Sequence, residues 1–149
     1  VLTSAIIHLF AEINHIQGAP VLAPAVHAPI LVALGAIPGA LSRYYLTLLA
    51  AQWFGITFPY GTFLINLTGS GLIGFLSTLI AKQVASADLQ SLLIVGFLGS
   101  YTTFSTYALD TSNLLRTGSR KRAWFYWLGS PILGFFCVEL GIFLARQMI

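Results

Sequence analysis

The sequence predicts an all-α membrane protein with four transmembrane helices, the third of them broken near its middle. Three observations carry that prediction. Hydrophobic residues make up 57% of the 149-residue chain and charged residues only 7%, whereas soluble domains carry about 25% charged residues. No formal charge falls between Arg43 and Lys82, a stretch long enough for most of two spans of about 20 residues each, joined by a tight turn. The third apolar run also places glycines and hydroxyl side chains where a continuous helix needs strong helix formers. Disorder is excluded by the high hydrophobicity, and the length allows one small membrane domain.

Residues 1–29 read as an N-terminal extension. Leu2, Ile6, Leu9, Ile13 and Ile16 recur at helical spacing opposite Ser4, His8 and His15, the pattern of a short amphipathic helix on a membrane surface. Pro20, Pro24 and Pro29 then punctuate an Ala-rich linker. A cleavable signal is disfavoured because no positive region precedes the apolar residues. His8, His15 and His27 lack the Cys or paired acid that would complete a metal site.

The membrane domain, 30–149, divides into spans at about 30–54, 60–81, 89–115 and 123–147. The uncharged Gly55–Pro59 connection must be tight. Trp53, Tyr60, Trp124 and Trp127 fall near span ends, where amphipathic rings prefer the interface. With four spans, Lys82 and Arg146 share one side, and Arg116, Arg120, Lys121 and Arg122 the other. That bias is weak, so a chain of this kind could insert both ways. The basic cluster is the pattern of a loop beside anionic headgroups and does not point to nucleic acid. Gly35/Gly39, Ser70/Gly74, Ser130/Gly134 and Gly141/Ala145 are pairs four apart that let helix backbones approach, as packing within a chain or an oligomer would require. Cys137, the single cysteine, reads as an apolar filler.

The chemistry concentrates in the third span, Gly96-Phe97-Leu98-Gly99-Ser100-Tyr101-Thr102-Thr103-Phe104-Ser105-Thr106-Tyr107. Glycine loses entropy in a helix, and Ser and Thr compete for backbone bonds, so a break is expected around Gly99–Thr103. Carbonyls freed there can ligate a hard cation. An intact helix whose hydroxyls bond back to their own turn fits the residues equally well. Asn66 in the second span must find partners inside the bundle, either as glue between helices or as an N–H donor to an anion. Tyr126 and Ser130 are four apart in the fourth span and share a face that Gly134 extends. With Ser105 and Thr106 they make a track of neutral donors, suited to a small, strongly solvated anion that a fixed charge would trap. Phe104 and Tyr107 share a face and can offer electropositive ring edges. Arg43 and Asp110 either pair or leave Arg43 to snorkel into a vestibule and attract anions. Glu139 is the acid best placed for proton coupling, or for a helix interface.

On these residues the chain resembles the small CrcB-type (Fluc) fluoride channels. The resemblance spans about Leu34 to Ala145 and rests on three motifs in order. These are Gly35-xxx-Gly39-Ala40-xx-Arg43-Tyr44, Gly61-Thr62-xxx-Asn66-xx-Gly69, and Gly96-Phe97-xx-Gly99 followed by Thr102-Thr103-Phe104-Ser105-Thr106. It implies an antiparallel, dual-topology homodimer in a bacterial-type inner membrane, with two pores for passive fluoride export. It also implies a structural sodium ion on the backbone carbonyls of Gly99 and Thr102, and pores lined by Asn66, Phe104, Tyr126 and Ser130. Two departures stand out: Tyr107 replaces the usual second Phe, and Ser100 a common second Gly.

Two other classes share the four-span plan. A small proton-coupled multidrug transporter would want a carboxylate in the first span, and residues 30–54 contain none. A non-transporting scaffold would use the glycines and hydroxyls only for packing. No nucleophile–base pair, zinc-ligand cluster or phosphate loop points to an enzyme.

Overall fold

The computed structural model describes residues 22–149, and the surface helix expected over 2–16 lies outside them. Four helical spans are long and apolar enough to cross a membrane. Helix α1 is Leu22–Phe54 and α2 is Tyr60–Ala81. The third span is two helices, α3 over residues 87–101 and α4 over Phe104–Arg116. Helix α5 is Arg120–Gln147. The connections at 82–86 and 117–119 fall at the charged segments and that at 55–59 at the uncharged Gly55–Pro59 turn, as the sequence predicts.

Helix α1 begins at Leu22 instead of Ile30, so residues 22–29 are helical and not a linker. Pro29 and Pro38 both sit inside it. A proline in a spanning helix is tolerated where neighbouring groups re-satisfy the carbonyl it leaves free. Within α3, Gln90–Leu98 winds as a π-helix, a wide-turned form usually confined to a single turn.

The helices pack as two pairs, α1 along α3 and α2 along α5. Each pair closes on glycine. A Cβ on Gly35 would overlap the Leu92 carbonyl oxygen, and one on Gly141 would overlap the Gly71 carbonyl oxygen. The small-residue pairs containing Gly35 and Gly141 therefore serve contacts within one protomer, and the oligomer motive read from them falls away. One buried cluster, Ile65, Leu98 and Tyr101, lies between the pairs, and a second, Phe58, Leu114, Ala123 and Tyr126, lies where α4 and the 55–59 connection meet α5. The outer faces carry exposed Leu, Ile, Phe and Trp throughout, as lipid contact requires.

The break is narrower than the sequence predicts. Gly99, Ser100 and Tyr101 are helical, and only Thr102 (ψ 159°) and Thr103 (φ −153°, ψ 122°) are extended. The helix survives to Tyr101 because the Leu98 carbonyl still accepts the Thr102 N–H at 3.0 Å and the Thr102 hydroxyl at 2.9 Å.

Gly141→Ala is expected to destabilise the protein by about 1–3 kcal/mol, the usual cost of overpacking, read as a lower midpoint of unfolding in detergent. Gly129→Ala should not, because a Cβ there meets only the Phe125 ring at 3.8 Å.

Candidate functional site

The break is held open from α2. Asn66 donates from Nδ2 to the Thr103 carbonyl at 3.0 Å and accepts the Thr103 N–H on Oδ1 at 2.9 Å. In a continuous helix that N–H would go to Gly99, four residues back, so Asn66 leaves the Gly99 carbonyl without its helical donor. Thr102 loses its donor in the same way: the Thr106 N–H is held by the Thr103 hydroxyl at 3.3 Å, an N-cap for α4. Gly69, one turn beyond Asn66, completes the cradle, since a Cβ there would overlap the Thr102 methyl. Ser100, the unusual residue before the break, donates its hydroxyl to the Ala36 carbonyl at 2.9 Å and so ties α3 to α1. Among the described residues no cluster of His, Cys, Asp or Glu could hold a metal ion. Any ion at the break would rest on the neutral carbonyls of Gly99 and Thr102, oxygens suited to a hard cation.

Beside the break runs an open groove of ≈ 690 Å³ whose polar wall comprises Asn66, Ser70, Thr102, Thr103, Tyr107 and Ser130. No formally charged residue lines it. The Ser130 hydroxyl is buried and has no hydrogen-bond partner among the described residues. Phe104 edges the groove and is 79% exposed, with its ring centroid 5.7 Å from that of Tyr107. A second cavity, of ≈ 550 Å³, lies toward the 55–59 connection and takes in Thr62, Thr106, Asp110 and Arg122.

The structure thus gathers Asn66, Phe104, Tyr107 and Ser130 on one groove and places the remaining expected residues elsewhere. Tyr126 is fully buried behind Tyr107, ring centroids 5.2 Å apart, and its hydroxyl donates to Asp110 Oδ2 at 3.4 Å. Thr106 faces the second cavity. Ser105 is exposed and reaches the Thr103 hydroxyl at 3.3 Å. Arg43 is half-buried on α1, outside both cavities. It does not pair with Asp110; the one contact of salt-bridge length among the described residues joins His27 Nδ1 and Asp88 Oδ1, at 3.5 Å. Glu139 is exposed on α5.

One contact went unread in the sequence although its signal is there. The Tyr107 hydroxyl donates to the Trp127 carbonyl at 2.6 Å. That carbonyl would accept from residue 131, which is Pro131 and has no N–H. Tyr107 supplies the donor that Pro131 removes.

A multi-pass helical membrane protein with a broken span beside a neutral polar groove has the form of a small ion-conducting protein. The chain belongs to the CrcB family: the description "CrcB-like protein, Camphor Resistance (CrcB)" matches residues 30–142. A relative named fluoride-specific ion channel FluC, from Trichormus variabilis, is 55% identical over 125 residues, covering 83% of this chain and 91% of its own. Relatives of the same name from Synechococcus sp. and Synechocystis sp. are each 49% identical, over 84% and 81% of this chain and 97% and 94% of theirs. The family is one of ion channels, and the chain is not an enzyme.

Tyr107→Phe is expected to cost about 0.6–2 kcal/mol, the range for hydrogen bonds between membrane helices. In a Pro131→Ala background, which restores the helical N–H, the same change should cost clearly less. Detergent unfolding of the four proteins in this double-mutant cycle checks it.

Proposed function

We propose that this chain conducts fluoride passively across the membrane along the groove at the broken span. The observation that carries the reading is the buried, unpartnered Ser130 hydroxyl in a groove whose polar groups are all neutral. A small anion entering the bilayer must exchange its water for donors. Hydroxyls and an amide N–H supply them without a fixed positive charge that would hold the ion in place. Asn66 keeps one amide N–H beyond its bond to Thr103, and the Phe104 and Tyr107 rings can offer edges. Thr106 and Tyr126, off the groove wall, would act from the second cavity and from behind Tyr107, and Ser105 at the mouth of the break. Arg43 would attract anions toward the protein from outside both cavities.

The working unit in this reading is an antiparallel homodimer with two pores. The groove is open along one side, and Gly99, Phe104 and Ser105 are exposed beside backbone groups that lack helical partners. Unpaired backbone groups cost several kcal/mol in hydrocarbon, so a second protomer on this face removes a liability. The carbonyls of Gly99 and Thr102 would hold a structural sodium ion, which supplies the positive charge that their lost N–H donors no longer provide. Glu139 is exposed and does not line the groove, which favours a passive path over a proton-coupled one.

Proteoliposomes loaded with fluoride should empty once a potassium ionophore balances charge, while chloride-loaded ones should not. Ser130→Ala should slow fluoride efflux about tenfold or more, the loss of one hydrogen bond to a charged ion, and Ser130→Thr should retain most of it. Equal chloride efflux, or a requirement for a proton gradient, would overturn the reading.

A further inference from the structure

A second feature lies toward the other end of α4 and shares only Trp127 with the groove. Between α4 and α5 is a cleft of ≈ 240 Å³ lined by Thr111, Leu115, Ala123, Trp124 and Trp127. It is apolar in practice, because the Thr111 hydroxyl is turned back onto the Tyr107 carbonyl at 2.8 Å. The two indoles meet edge to face, centroids 5.3 Å apart. Both stay about half exposed, as rings at the headgroup level do.

The rim of this cleft is basic. Arg120 opens α5 and lies one turn before Trp124 and two before Trp127, on the same face. Arg116 ends α4 and Lys121 follows Arg120. None of the three forms an ion pair among the described residues. The acid nearest along α4, Asp110, accepts from Tyr126, and the fourth cation, Arg122, reaches the Thr57 carbonyl at 3.3 Å. Arg120 therefore stands one turn before an apolar cleft walled by two tryptophans at a span end, with Arg116 next to Leu115 of its facing wall; Lys121 lines the neighbouring pocket beside Phe125.

We propose that the α4–α5 hairpin binds one anionic phospholipid. Part of an acyl chain lies in the cleft against Trp124 and Trp127, and the phosphate lies on Arg120, with Arg116 adding charge. The occupant is a lipid and not free phosphate, because the apolar cleft would otherwise be left to water beneath the charges. The site needs one protomer and no particular orientation; it meets the groove only at Trp127.

The test uses the purified full chain with Trp53→Phe, which leaves Trp124 and Trp127 as the only tryptophans. Brominated lipids quench tryptophan on contact. Brominated phosphatidylglycerol should quench more strongly than brominated phosphatidylcholine at equal mole fraction, placed in both leaflets. Arg120→Gln should lower that preference about fivefold, the weight of one basic side chain at a membrane surface. Arg120→Lys should keep most of it, and Arg146→Gln, at the far end of α5, should leave it unchanged. Soluble glycerol phosphate should not alter the quenching ratio. Equal quenching by the two lipids, an unchanged preference in Arg120→Gln, or an equal loss in Arg146→Gln would overturn the proposal. So would erasure of the preference by glycerol phosphate.

Discussion

Asn66 binds the backbone of Thr103 with both ends of its amide, and much of the interior depends on that pair of bonds. A helix crossing a bilayer keeps its own hydrogen bonds because hydrocarbon offers no substitute. Breaking one therefore requires a side chain that imitates a backbone partner, donor and acceptor together, and an amide does so. With Thr103 held on α2, the Gly99 carbonyl loses its donor, Thr103 turns its hydroxyl to cap α4, and the Thr102 carbonyl is released as well. The direction of α4 then fixes where Phe104 and Tyr107 point. Gly69 permits all of this by leaving room for Thr102.

The same constraint explains the α5 side of the groove. Pro131 removes one backbone donor from a spanning helix, and the Tyr107 hydroxyl replaces it from α4. Substituting Tyr for Phe beside Phe104 thus has a structural reason independent of any passing ion. It also covers Tyr126, whose hydroxyl turns toward Asp110 in the second cavity. Ser130, one turn further along α5, is also buried, but its hydroxyl has no partner among the described residues. The two hydroxyls on one helical face thereby differ, one bonded to Asp110 and one without a partner among the described residues.

The spans were legible because bilayer thickness and absent charge dictate them, and every connection falls where polar or turn residues interrupt the apolar runs. The break was legible as a window, through its Ser, Thr and Gly content. Its position was not, because it is set by a partner 37 residues away; propensity pointed to Gly99, which remains helical. The small-residue pairs announced close contacts without naming partners, and Gly35 and Gly141 proved to serve their own chain. Spacing of four placed Tyr126 with Ser130, but a shared face does not guarantee a shared environment when Tyr107 covers half of it. The Tyr107–Trp127 bond was readable in principle, since a proline four residues after a carbonyl always leaves that carbonyl short of a donor. The π-helical winding of Gln90–Leu98 has no signal in the sequence that we can identify.

That Asn66 opens the helix and frees two carbonyls is tested most directly by isotope-edited infrared spectroscopy. Carbonyl carbon-13 would be placed in turn at Leu98, Gly99 and Thr102. Leu98 accepts two hydrogen bonds and is the internal standard. The expected result is that Gly99 and Thr102 absorb at frequencies distinct from Leu98, and that in Asn66→Leu the Gly99 band moves to the helical position. Three coincident bands in the unaltered protein, or a Gly99 band indifferent to Asn66→Leu, would contradict the mechanism of the break.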